Sequence, residues 1–149
     1  MGYGYGIWLV YDDGHFITSH IGHVTVMCFM SEVDARRLYM ELREKCPYRV
    51  PVKINENPQM FAAAFYASDT NKIHSWGYNC DSDKWDILKD ICVYHNGDFS
   101  PHAHTSIEYN VDPSLFNLIK IEGGTKIIDC DIRLVDIRSD FPVDWRIIE

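Results

Sequence analysis

The chain has 149 residues, 46% of them hydrophobic, and a formal net charge of −8 with the histidines neutral. That length suits one domain able to bury about two-thirds of its unfolded surface, and no stretch approaches the roughly 20 apolar residues of a membrane-spanning helix. A protein that tracks a long phosphate backbone presents a basic stripe; here no Lys/Arg cluster stands out beyond Arg36-Arg37, so a long duplex nucleic acid is not an expected partner.

In chain order, residues 6–11 predict a strand and Asp12-Asp13-Gly14 a turn. A second strand is expected from His20 or Ile21 to Phe29, almost wholly apolar apart from positions 23 and 25. Ser31 reads as an N-cap with Asp34 three residues on, and Ala35, Leu38 and Leu42 form the apolar stripe of a helix ending near Cys46-Pro47. Strands are expected at 50–54 and 59–67, then a loop over 68–82 that contains Trp76, Gly77 and Tyr78. Ser82 can cap a second helix with a Trp85, Leu88, Cys92 stripe running to about His95, and Asn96-Gly97-Asp98 ends it. A strand around 103–109, a short helix opened by Asp112-Pro113, a turn at Gly123-Gly124 and strands at 126–137 and 143–148 complete the pattern. Such an order favours an α+β fold with antiparallel sheets and helices packed outside.

Two histidine-x-hydroxyl triplets carry the chemistry: His23-Val24-Thr25 and His104-Thr105-Ser106. Side chains i and i+2 of a strand share a face, so each triplet presents an imidazole beside a hydroxyl while its middle residue points away. With seven histidines, about one such triplet is expected from average composition alone, so the weight lies on the apolar, β-prone surroundings of both. Taken singly, each histidine also fits a core residue satisfied by a neighbouring hydroxyl or carbonyl. Facing one cleft, they supply a general base, a general acid and two hydroxyls for phosphate oxygens, enough to cleave a phosphodiester without metal or cofactor.

The segment His23-Val24-Thr25-Val26, the amphipathic stretch from Ser31-Glu32-Val33-Asp34-Ala35, and then His104-Thr105-Ser106-Ile107 resemble the two-histidine phosphoesterase superfamily. The resemblance spans most of the chain and implies a bilobal, pseudo-symmetric α+β domain over residues 1–149 whose antiparallel sheets line a central cleft. It implies His23 and His104 as catalytic residues, Thr25 and Ser106 as substrate-binding, and a small cyclic or 2′-5′-linked nucleotide or an RNA-end 2′,3′-cyclic phosphate as substrate. Two departures stand out: the second triplet ends in Ser where Thr is commoner, and His102 precedes it by two residues. Serine keeps the hydroxyl but not the stiffening methyl.

His102 opens a rival reading, a metal site built from His20, His23, His102 and His104; the spacing is not specific, and no metal or cofactor is expected. A further alternative is a non-catalytic module that binds a nucleotide or protein in the same cleft. Trp76 and Tyr78, read as loop aromatics, and Tyr11 are candidate base-stacking residues. Glu108 is a candidate to orient a histidine. Gly2-Tyr3-Gly4-Tyr5-Gly6 lacks the Lys and Ser/Thr of a phosphate loop and reads as a flexible arm, and Asp129, Asp131 and Asp136 read as a strand's solvent face. Five scattered cysteines, odd in number and without a Cys-x-x-Cys pair, fit reduced thiols, and the N-terminus lacks a secretory pattern, so a cytoplasmic location is expected.

Overall fold

A computed structural model describes residues 2–11, 21–62, 74–109 and 126–149. Among these residues, eight strands and two α-helices follow the order β1 (Tyr5–Val10), β2 (His23–Met30), α1 (Glu32–Lys45), β3 (Val50–Ala62), β4 (His74–Asp81), α2 (Trp85–Cys92), β5 (Asp98–Phe99), β6 (His104–Tyr109), β7 (Lys126–Asp136) and β8 (Arg146–Ile147). The strands form an antiparallel sheet in the order β5-β2-β1-β7-β3-β4-β6, with β8 added to β7. The expected mixture of helices with antiparallel strands is therefore present.

Strand β7 joins the two parts of this sheet. Its residues 126–130 pair with β3, whereas 131–136 pair with β1. One face carries the main core, in which Ile7, Leu9, Val24, Val26, Ile132 and Leu134 meet Ala35, Leu38 and Leu42 of α1 and Leu88 and Cys92 of α2. The alternation that buries these strand residues turns Trp8, His23 and Thr25 toward the opposite face. A smaller apolar cluster of Trp8, Val135, Ile137 and Trp145 lies there.

Helix α1 forms as its sequence predicts: the Asp34 amide donates to Ser31 Oγ at 3.1 Å, acidic residues occupy the first turn and basic residues the last. For α2 the reading is corrected. The helix starts at Trp85 and ends at Cys92, and Lys84 occupies the cap position with no side-chain bond. Ser82 instead steadies the approach, donating to the Pro51 carbonyl at 2.7 Å and accepting from the Lys84 amide at 3.2 Å.

Three strand assignments also change. Residues 50–62 are a single strand, because the Asn55-Glu56-Asn57-Pro58 stretch is absorbed as an irregularity between Ile54 and Pro58 in the pairing with β4. Residues 74–81 form β4 instead of the end of a loop. The C-terminal strand shrinks to Arg146–Ile147, preceded by a 3₁₀ turn at Pro142–Asp144. Asp136 is not on a solvent face: it is buried and paired with Arg138 at 2.9 Å and Arg146 at 3.1 Å. The turn at 12–14, His20, the end of the expected strand at 63–67, the short helix after Asp112 and the Gly123-Gly124 turn lie outside the described residues.

Candidate functional site

Both triplets open onto one cavity of about 250 Å³, whose lining includes His23, Thr25, His104 and Ser106. Its volume approaches the roughly 300–1,000 Å³ typical of small-molecule sites. In each triplet the strand alternation expected from the sequence is what places the histidine and the hydroxyl together.

How the triplets meet is a long-range property of the sheet. Strands β2 and β6 are far apart in the pairing order, yet they touch. The middle residue of the second triplet makes the junction: Thr105 donates from Oγ1 to the His23 carbonyl at 2.7 Å. Having spent its proton there, Thr105 Oγ1 accepts from the Tyr11 hydroxyl, also at 2.7 Å. Thr105 is fully buried, so this chain of bonds is shielded from water. The sheet thus curls until its second strand and its last strand in the pairing order come together.

Each imidazole is set in one tautomer. The Nδ1–H of His23 donates to the Ile21 carbonyl at 2.7 Å, and that of His104 to the His102 carbonyl at 3.1 Å. A carbonyl only accepts, so Nδ1 carries a proton in both rings and Nε2 is the nitrogen that changes protonation state. His23 stacks on Trp8 with ring centroids 3.5 Å apart and planes 7° apart, and Trp145 meets it edge-on at 6.1 Å. His23 is 4% exposed as a residue and forms part of the cavity wall. His104 is less enclosed and packs against Phe61 at 4.6 Å. Burial holds the His104 pKa below the ordinary histidine value; its bond to the His102 carbonyl opposes that, and the nearby His102 adds to the depression. His104 is therefore suited to be neutral, and able to accept a proton, at neutral pH.

A third hydroxyl joins the site that the sequence reading did not single out. Ser75 on β4 is buried, lines the cavity and shares a hydrogen bond of 3.0 Å with Ser106. Gly77 permits the approach of β4 to β6 behind this pair: a Cβ there would lie 1.8 Å from the Thr105 carbonyl oxygen. The signal for Ser75 was period-two alternation, since Ser75 and Gly77 fall on one face and Trp76 and Tyr78 on the other.

The three candidate stacking aromatics are placed differently from expectation. Trp76 and Tyr78 are 7% and 1% exposed, belong to the main core and do not line the cavity. Tyr11 is also a core residue, and its hydroxyl supports Thr105 from behind the site. The reason is the strand β4 itself, whose alternation turns Trp76 and Tyr78 inward. Among the described residues, the aromatics of the cavity lining are instead Tyr3, Trp8, Phe29, Phe61, Phe99 and Trp145. Glu108 lies on β6, opposite Trp76 of β4.

For the rival metal reading, His20 lies outside the described residues and His102 is exposed on the lining of a different pocket with Asn79 and Asp81. Among the described residues, no group of three or more His, Cys, Asp and Glu side chains is placed to hold a metal ion. All five cysteines are unbridged. No described helix is long and apolar enough to cross a membrane. Compared with known proteins, the chain matches no family model and no curated protein sequence.

Proposed function

We propose that this protein is a phosphodiesterase of the two-histidine type, acting on a small nucleotide by general acid–base catalysis without a metal. The observation that carries the reading is the convergence of His23, Thr25, His104 and Ser106 on one cavity, with Nδ1 of both rings tied to a carbonyl. In the reaction, Nε2 of one histidine takes the proton of a water or ribose hydroxyl as that oxygen forms its bond to phosphorus. The other Nε2 gives its proton to the leaving oxygen as the second P–O bond breaks. Thr25 and Ser106 hydrogen-bond the nonbridging oxygens as their charge rises toward the transition state.

The substrate in this reading is a cyclic or 2′-5′-linked nucleotide or an RNA-terminal 2′,3′-cyclic phosphate. The bilobal, pseudo-symmetric description belongs to the same proposal, with β7 as the element shared by a half that carries β2 and a half that carries β6. Support for it is the division of β7 between β1 and β3.

The test is a panel of cyclic mononucleotides, cyclic dinucleotides and 2′-5′ oligoadenylates, incubated with the wild type, His23→Ala and His104→Ala in the presence of a chelator. Cleavage by the wild type, with a loss of roughly 10²–10⁴-fold in each variant, is the expected result. Undiminished cleavage in both variants ends the catalytic reading. Binding of a nucleotide with no cleavage of any panel member would favour the non-catalytic module, for which the near-complete enclosure of His23 is the specific support.

A further inference from the structure

The cavity extends beyond the two triplets to an end that the proposed chemistry does not use. We propose that this end is a nucleobase subsite selective for guanine, with Phe29 as the stacking platform and Asp98 as the reader of the base's hydrogen-bonding edge; the inference rests on the nucleotide phosphodiesterase reading above.

Phe29 is the first ground. It is the one described non-glycine residue with a positive φ, at 57°, a conformation that strains a bulky side chain and that concentrates at ligand clamps. The strain is held in place by the N-terminal segment: the Phe29 amide donates to the Tyr3 carbonyl at 2.7 Å, and Gly4, itself at φ 72°, bridges to Met30. That segment is therefore built into the fold, contrary to its reading as a flexible arm. The outcome of the strain is an aromatic ring that is 45% exposed, lines the cavity and meets Tyr3 at 5.2 Å. An aromatic face held at a cavity rim is what a nucleobase stacks on.

Asp98 is the second ground. It is the only carboxylate among the described residues of the cavity lining, and no described Lys or Arg lines the cavity beside it. A carboxylate in a cavity meant for a phosphate repels the ligand unless it faces hydrogen-bond donors. Guanine offers two adjacent N–H groups, N1–H and the 2-amino group, that match the two oxygens of one carboxylate; adenine offers no such pair.

Spacing is the third. Asp98 is paired with Cys28 across β2 and β5, and Thr25 is three residues earlier on β2. Two irregularities in the β1–β2 pairing shorten β2 here, so that the stretch from Thr25 to Met30 runs beside only the three steps from Trp8 to Tyr5, about 10 Å in all, and Asp98 lies within one nucleotide's length of the first triplet. A phosphate between the histidines thus places its base beside Phe29 and Asp98.

The test measures binding of the 3′-monophosphates of guanosine, inosine, adenosine and cytidine to the full chain by isothermal titration calorimetry, for the wild type, Asp98→Asn and Phe29→Gly. Guanosine monophosphate is expected to bind the wild type at least about tenfold more tightly than the adenosine compound, from the charge-assisted pair of bonds. Inosine, with one of the two donors, falls between them. Asp98→Asn abolishes the preference for guanosine. Phe29→Gly weakens all four ligands by roughly fivefold or more, while its melting temperature does not fall below that of the wild type, because glycine accepts φ 57° without strain. Nucleotide binding without a guanosine preference, or a preference that survives Asp98→Asn, overturns the subsite and leaves the phosphodiesterase reading standing. Failure of all four ligands to bind the wild type overturns the subsite, while cleavage of the substrate panel decides the phosphodiesterase reading separately.

Discussion

Replacing Thr105 by valine tests how the two triplets are held together. Valine keeps the β-branched shape and removes only the hydroxyl. It deletes two bonds of 2.7 Å at a fully buried atom, one to the His23 carbonyl and one from the Tyr11 hydroxyl. A net loss of about 1 kcal/mol for each bond gives about 2 kcal/mol, and the desolvation of the groups that lose a partner raises the expected cost to about 2–4 kcal/mol. With a urea m-value of about 2 kcal/mol/M, the midpoint falls by roughly 1–2 M. Activity against whichever nucleotide the panel identifies falls as well, since the carbonyl lost is that of His23 itself. Tyr11→Phe removes only one of the two bonds and is expected to cost about half as much, and the double variant about the same as Thr105→Val. Urea denaturation of the three variants is the assay. A loss below about 0.5 kcal/mol for Thr105→Val, or strict additivity with Tyr11→Phe, refutes the view that this bond chain joins β2 to β6.

Further outcomes follow from the same geometry. Gly77→Ala places a methyl against the Thr105 carbonyl, so β6 must move; a destabilisation of about 1–3 kcal/mol together with loss of activity is expected, and wild-type behaviour in both would show that β4 and β6 do not approach as described. Asp136 is held at about 2, below the ordinary aspartate value of 3.8, chiefly by its hydrogen bonds to Arg138. That difference corresponds to at most about 2.4 kcal/mol, and because Arg138 and Arg146 are 58% and 70% exposed, about 1–2 kcal/mol is expected. A carboxylate with a lowered folded-state pKa stabilises above its unfolded value and loses that contribution as pH falls through the folded one. Asp136→Asn is therefore less stable than the wild type at neutral pH, with the gap closing toward about pH 2; a gap independent of pH in urea titrations contradicts this. His104, also lowered, is fully stabilising above the ordinary imidazole value and loses that contribution as pH falls through its folded-state value. His104→Asn should lose less stability than the wild type between about pH 7 and pH 5, and equal losses would refute the burial argument.

What the sequence made legible was local. Period two alone placed His23 with Thr25 and His104 with Ser106, and Ser31 with Asp34 announced α1, because each depends on residues at most four apart. The same rule was available at Ser75-Trp76-Gly77-Tyr78 and was overruled by the surrounding Ser, Asp, Asn and Gly, which read as a loop. Those polar residues are compatible with a strand here because β4 is paired on both sides, by β3 and β6, so their backbone groups are satisfied by the ladder. Mistaking β4 for a loop had two linked consequences: Trp76 and Tyr78 were expected at the ligand when they belong to the core, and Ser75 was passed over.

The meeting of the triplets was expected only from the family resemblance and not from any local pattern, and the reason is physical. No pattern within β2 or β6 specifies that the sheet curls far enough to bring them together; that depends on β7 pairing with β3 through one half and β1 through the other. Within each triplet the outer residues face the cavity while the middle ones, Val24 and Thr105, are buried in the interior. For the first triplet that middle residue contributes apolar burial, and for the second a hydroxyl that reaches the His23 carbonyl. The spacing that suits a proton-transfer site thus also supplies its closure. A valine at position 105 would leave the histidine-x-hydroxyl pattern intact on paper while removing the bond that ties its strand to the other triplet, which is why the pattern by itself is a weaker sign of a working site than the pattern joined to Thr105 and Tyr11.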